Sequence, residues 1–107
     1  MKVMIVQPMN GKSEEQIRQE RDELIKRIQE DGDTYIDTIF QDEVPEGYDI
    51  PIYYLAKSIE AIAYADKIIF MNGWDKARGC LIEHEVATSY DKIISYYKDW
   101  RGKQWIN

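Results

Sequence analysis

The sequence predicts an α/β domain: a small open parallel sheet of four to five strands with helices on both faces. Three observations carry this. Apolar runs without alternation recur, as at residues 3–6 and 68–71, the pattern of strands buried on both faces. Between them lie stretches with apolar residues at helical spacing. The two patterns alternate as β-α-β-α-β-α-β, which implies a parallel sheet covered by helices, and right-handed crossovers leave few topologies for it.

The elements follow in order. Residues 3–6 form the first strand, and Pro8, Asn10 and Gly11 end it as a loop. Ser13 followed by Gln16 is a capping-box pattern that starts a helix, with Glu14 and Glu15 in the first turn where the helix dipole favours them. Ile17, Leu24, Ile25 and Ile28 share its buried face, and Gly32 is its natural stop. Residues 34–40 are rich in β-branched and aromatic side chains and read as the second strand. An acidic loop with Pro45 and Gly47 leads to a second helix from about Pro51 to about Asp66, striped by Leu55, Ile59 and Ile62. Residues 68–71 form the third strand, Asn72, Gly73 and Trp74 a turn, residues 76–90 the third helix and residues 93–97 the fourth strand. The tail, residues 98–107, is too aromatic for a free solvated segment and is expected to pack. The whole is a flavodoxin- or Rossmann-like three-layer arrangement, one domain over residues 1–107.

Composition narrows the function. The 107 residues are 44% hydrophobic and 32% charged, the balance of an ordinary globular domain. Fourteen basic against twenty acidic residues give a net charge of -6, which argues against a duplex nucleic-acid partner, because such binding draws its affinity from Lys and Arg on phosphates. A small phosphorylated ligand stays compatible, since backbone N–H groups at a helix start can hold one. The opening apolar run is too short for a signal peptide or a membrane span. Cys80 is the single cysteine, so no intramolecular disulfide forms and the cytoplasm is the expected compartment. Cys80, His84 and nearby carboxylates lack zinc-site spacing, so neither a metal nor a cofactor is expected.

In open parallel sheets ligands bind beyond the carboxyl ends of the strands. Two segments fall there: Gln7, Pro8, Met9, Asn10 and Gly11 after the first strand, and Asn72, Gly73, Trp74 and Asp75 after the third, leading into Gly79 and Glu83. Either segment alone is explained by turn formation; two converging on one sheet edge point to a pocket. On the third helix, Ile82, Val86 and Tyr90 are expected to form the buried stripe. Glu83 then sits at its border, about 60° from the centre, with Glu85 about 100° away and His84 nearly opposite. This leaves His84 and Glu85 solvated and two readings open for Glu83: a pocket carboxylate or a helix-favouring surface residue. Cys80, one turn earlier, gains some thiolate character from the helix start, but a buried structural cysteine is the commoner case.

The segment from Ser58 through Asp66 to Met71, followed by Gly79, Glu83 and Ala87 in a Gly-x-x-x-Glu-x-x-x-Ala spacing, resembles the nucleoside 2-deoxyribosyltransferase superfamily, closest to its short phage- and prophage-type members. The resemblance covers roughly residues 1–97. It implies that Glu83 is the nucleophile, attacking the anomeric carbon of a 2′-deoxynucleoside to form a covalent ester that a second base or water then resolves. It implies that residues 7–11 line the base and sugar pocket, and that the protein assembles as a homo-oligomer, a dimer or larger. Three positions depart from the family pattern. Met4 stands near a tyrosine that orients the nucleophile, Ser58 replaces an aspartate, and Arg78 replaces an acidic residue just before the glycine. Arg78 suits a phosphate as a charge-assisted donor.

The expected function is therefore a 2-deoxyribosyltransferase or N-glycoside hydrolase acting on deoxynucleosides or their monophosphates through Glu83. The alternative is a non-catalytic protein that holds a nucleotide or a nucleotide-derived signal in the same pocket. A third reading takes Tyr96, Tyr97, Trp100 and Trp105 as an oligomer interface, since aromatics are enriched at interfaces.

Overall fold

The computed structural model describes the backbone of residues 1–99 and 104–106 and the side chains of residues 1–97. The chain runs β1 (Lys2–Val6), α1 (Glu14–Glu30), β2 (Thr34–Ile36), α2 (Ile50–Tyr64), β3 (Lys67–Met71), a 3-10 turn (Trp74–Lys76), α3 (Arg78–Ser89), β4 (Ile93–Asp99) and β5 (Gln104–Ile106). The sheet order is β2-β1-β3-β4-β5. The first four strands are parallel and β5 returns antiparallel along β4. The expected α/β class and open parallel sheet are what the chain forms. The tail contributes a fifth, antiparallel strand that composition did not indicate. The backbone of residues 104–106 thus packs along β4, as a tail too aromatic for solvent suggests; of the four aromatics read as an interface, Tyr97 is buried in the core and Tyr96 half-buried, while the side chains of Trp100 and Trp105 lie outside the described residues.

The pleat sorts each strand onto two faces. Met4, Val6, Ile68 and Phe70 point to one side and bury against Ile62 and Ala65 at the end of α2 and Cys80 and Ala87 of α3. Val3, Ile5, Ile69, Met71 and Tyr97 point to the other and meet Leu24 and Ile28 of α1. The unbroken apolar runs therefore reflect burial on both faces.

Helix starts follow local chemistry. Ser13 accepts the Gln16 N–H at 3.1 Å, as the capping pattern predicts. Asp49 caps α2 by accepting the Ile52 N–H at 3.1 Å, one residue before the helix's Ile50–Pro51 start. β2 is shorter than expected, three residues where the composition indicates seven. The reason lies at Thr38, which is buried and donates to the Ile5 carbonyl at 3.4 Å while accepting from Arg21. Asp37 accepts the Ile39 N–H at 2.9 Å in a local turn that leads the chain out of the sheet.

Arg21 lies at the centre of these contacts. It is 0% exposed and occupies the same helical stripe as Ile17, Leu24 and Ile28. Its Nε donates to Gln7 Oε1 at 2.6 Å, and its Nη1 donates to the Tyr35 hydroxyl at 2.9 Å and Thr38 Oγ1 at 3.1 Å. Gln7 is held in turn, donating to Glu20 Oε1 at 2.6 Å and to the Ile17 carbonyl at 3.3 Å. One guanidinium thus ties α1 to the ends of both β1 and β2. Replacing Arg21 with Ala leaves buried acceptors unpaired and opens a cavity, and should cost about 3–5 kcal/mol. Arg21→Lys should recover little of it, because an ammonium cannot span the three partners in the plane of a fork. Urea denaturation midpoints check both, and a loss below about 1 kcal/mol for Arg21→Ala would show that the knot is dispensable.

Candidate functional site at the carboxyl edge of the sheet

The strand order fixes where a crevice opens. The chain leaves β1 toward β2 and leaves β3 toward β4, in opposite directions, so the loops after β1 and β3 part at the middle of the sheet. They still touch at their bases. Gly73 has φ +90°, and a Cβ there would stand 3.4 Å from Pro8 Cγ. Glycine is required at this position by conformation, because side-chain-bearing residues rarely adopt that φ. The two segments singled out by composition therefore adjoin at one edge.

Within them the side chains have different fates. Gln7 is buried and spent on Arg21 and α1. Pro8 and Met9 are half-buried, and Asn10 and Gly11 stand exposed at the turn. The Met9 carbonyl accepts the Lys12 N–H at 3.1 Å, and Lys12 Nζ pairs with Glu20 at 2.9 Å, which anchors the far side of this loop. Asn72, Asp75 and Arg78 are exposed, while Gly73, Trp74 and Gly79 are half-buried. Ser58 lies half-buried midway along α2, with no side-chain hydrogen bond among the described residues. Met4 is core, packed in the same cluster as Cys80.

The face that α3 presents inward differs from the expected one. Tyr90 is 75% and Ile82 39% exposed, and Leu81 is exposed beside them. The buried residues are Cys80 and Ala87, with Glu83, His84 and Val86 half-buried. The i, i+3, i+4, i+7 stripe is thus Cys80, Glu83, His84 and Ala87, with the two polar residues at its middle. His84, expected in solvent, stacks on Trp74 with ring centroids 4.2 Å apart and 24° between planes. Its Nε2 lies 2.6 Å from the Tyr96 hydroxyl, and Phe70 meets it edge-on at 4.9 Å. The aromatic neighbours on β3, β4 and the 3-10 turn overrode hydropathy: an imidazole among three rings is better placed than in water. Glu85, by contrast, is exposed as expected.

Glu83 is accordingly inside the fold's edge and not at the border of a stripe. Its Oε1 lies 3.9 Å from where a Cβ on Gly79 would be, so the carboxyl reaches back one turn toward the helix start. Among the described residues it has neither a hydrogen bond nor an ion pair. Burial pushes its pKa up from 4.5 to about 7, with the positive charge of Arg21 opposing the rise. Burial, reinforced by the charge of Glu83, pushes the Cys80 thiol up to about 12. Burial also lowers the pKa of His84, against the pull of Glu85, so its ring favours the neutral form. A strongly shifted, unpartnered carboxyl on the helix that follows a central parallel strand is a candidate for a chemical group. Among the described residues no three His, Cys, Asp or Glu side chains gather as a metal site, and no helix is long and apolar enough to cross a membrane.

Arg21 is the residue that sequence reasoning missed. The signal was present: an arginine at the fifth position from Ile17 in an otherwise apolar stripe, where a charge needs a reason.

Two measurements test this electrostatic picture. The folded-state pKa of Glu83 exceeds its ordinary value, so between about pH 4.5 and 7 the folded protein binds more protons than the unfolded chain, and stability falls as pH rises through that window. Glu83→Gln should match wild type near pH 4 and exceed it by on the order of 2–3 kcal/mol at pH 8; a difference independent of pH would refute the shift. Cys80 should resist iodoacetamide in the folded protein at pH 8 and react on unfolding, read by mass spectrometry, because a thiol pushed to about 12 yields almost no thiolate there.

No curated protein shows significant similarity to the chain. A family match covers residues 1–96, nearly all of the described domain and every element of the crevice, and on that match the chain belongs to the family described as Domain of unknown function (DUF4406).

Proposed function

We propose that the protein breaks, and in the presence of an acceptor transfers, the N-glycosidic bond of a 2′-deoxynucleoside or its monophosphate, with Glu83 as nucleophile. The observation that carries this reading is the Glu83 carboxyl, half-buried, unpartnered and shifted to about 7 on the inward face of α3, the helix that follows β3. The resemblance of the Ser58–Met71 and Gly79–Ala87 segments to the nucleoside 2-deoxyribosyltransferase superfamily supplies the reaction type.

The chemistry is a double displacement. A Glu83 carboxylate oxygen attacks C1′. The C1′–N bond breaks with its electron pair leaving on the base, which takes up a proton. A glycosyl ester results. Water or the nitrogen of a second base then attacks C1′, the ester C–O bond breaks, and the Glu83 carboxylate is restored. The sugar carries positive character at both transition states, and the missing 2′-hydroxyl of a deoxynucleoside eases it. A poorly solvated carboxylate sheds little water before it attacks. Arg21 opposes the burial cost and keeps a usable fraction ionised near neutrality. Arg78, exposed at the first position of α3, suits the phosphate of a monophosphate substrate.

Since only the ionised carboxylate attacks, kcat/KM should fall about tenfold per unit as pH drops below about 7. Glu83→Ala should lower base release by at least about a thousandfold. The assay incubates the protein with each deoxynucleoside and 5′-monophosphate, with and without a free acceptor base, and follows base release by chromatography. No release by wild type, or equal release by Glu83→Ala, rules the reading out. One observation favours a second reading, a nucleotide-holding protein without turnover: no acid partner for a leaving base adjoins Glu83 among the described residues. Thermal stabilisation of Glu83→Gln by nucleotides, with no turnover by wild type, would select it.

A further inference from the structure

The tripeptide Met-Asn-Gly occurs twice, at residues 9–11 and 71–73, and both copies lie at the carboxyl edge of the sheet, at the ends of β1 and β3. An asparagine followed by glycine holds a reactive pair within itself. The side-chain amide carbon is electrophilic, and the next backbone nitrogen, with no Cβ beside it, is poorly shielded. Asn10 and Asn72 are both exposed. Among the described residues neither amide side chain has a hydrogen-bond partner, and neither Gly11 nor Gly73 donates its N–H to a backbone carbonyl. Local sequence therefore treats the two sites alike, and the fold separates them.

Closing a ring between the asparagine Cγ and the glycine nitrogen requires the peptide between them to swing about the asparagine Cα–C bond. At residues 10 and 11 little resists that swing. Both residues are exposed, and a Cβ on Gly11 would meet nothing within 4 Å. A single backbone hydrogen bond closes the turn, from the Lys12 N–H to the Met9 carbonyl at 3.1 Å. At residues 72 and 73 the same swing meets the fold. A Cβ on Gly73 would stand 3.4 Å from Pro8 Cγ, and the Gly73 carbonyl accepts the Lys76 N–H at 3.1 Å. The next residue, Trp74, is stacked on His84 at 4.2 Å, so the peptide cannot turn without pulling on the 3-10 turn and its indole. We infer that Asn10 is a self-modification site, where the loop after β1 deamidates through a cyclic imide, while Asn72 in the same tripeptide is protected by its packing. The Gly11 nitrogen gives up its proton and bonds to Asn10 Cγ. The Cγ–Nδ2 bond breaks, and ammonia leaves with that proton. Water then opens the imide. Cleavage of the new bond leaves an aspartate, and cleavage of the original peptide bond leaves an isoaspartate, with the main chain routed through an extra methylene. The only co-reactant is water. Either product puts a carboxylate on the crevice loop two residues from Lys12, whose Nζ pairs with Glu20 at 2.9 Å, and makes a chain of net charge -6 more negative. None of this depends on the chemistry of Glu83.

Ageing the intact protein at pH 8 and 37 °C, beside the same chain unfolded in guanidinium chloride, tests this. Peptide mapping by mass spectrometry follows both asparagines in one sample, and methyl transfer by an isoaspartate methyltransferase identifies the isoaspartate product. In the unfolded chain the two sites should convert at similar rates. In the folded protein Asn10 should convert at least about tenfold faster than Asn72, the ratio that a strain of one to two kcal/mol at residues 72 and 73 imposes on a rate. The aged protein should also move on anion exchange to the position of Asn10→Asp. Gly11→Ala, with a thermal melt confirming that it folds, should slow conversion at residue 10, because a methyl group then screens the attacking nitrogen. Folded protein in which Asn10 stays intact while the unfolded chain converts overturns the site. So do equal rates at the two asparagines in the folded protein, or a Gly11→Ala variant that converts as fast as wild type.

Discussion

A guanidinium buried away from water must find its hydrogen bonds inside the protein, and Arg21 finds them on three elements at once. Gln7 follows β1, Thr38 sits in the turn that follows β2, and Tyr35 stands within β2. These neutral groups fix where the two strands stop and how α1 lies across them. The nearest negative charge on this network is relayed: Glu20 holds the Gln7 amide that holds Arg21. Nη2 is left without a partner among the described residues. The domain thus keeps an incompletely neutralised cation close to its carboxyl edge, where it is felt by Tyr35, Cys80 and Glu83. A carboxyl that burial alone would protonate is thereby held near the point where both forms coexist at neutral pH.

The inward face of α3 is not the one packing alone would choose. An apolar side chain at position 83 would continue the contact made by Cys80 and Ala87. Instead the helix turns Leu81 and Ile82 outward and a carboxyl inward. Folding gains nothing from that exchange. Such an arrangement is expected where a site has been kept at a cost to stability.

The parts legible in the sequence were those governed by one dominant local signal. The strands at residues 3–6 and 68–71 followed from unbroken apolar runs, and the start of α1 from Ser13 and Gln16. The loop pair at the carboxyl edge was visible because Asn, Gly and Pro cluster there. What escaped depends on partners far along the chain. β2 stops early because Thr38 is drawn to Ile5 and Arg21, 33 and 17 residues away. The stripe of α3 was misjudged because hydropathy ranks Ile82 and Tyr90 above His84, while the rings of Phe70, Trp74 and Tyr96 gather around the His84 ring. Glu83 was singled out in the sequence at the border of a stripe, whereas the structure has it at the middle of one.

The order β2-β1-β3-β4-β5 has a further effect, at the margins of the sheet. Among the described residues the two outermost strands are three residues each, whereas the strands between them have five to seven. A short margin offers a foreign chain few free N–H and C=O groups to pair with, which is how open sheets avoid growing by strand addition. The early exit of β2 at Ile36 therefore does more than seat Thr38 on Arg21. It trims one margin of the sheet to a length at which self-association through strands is poorly rewarded, while the longest apolar runs stay enclosed between neighbours.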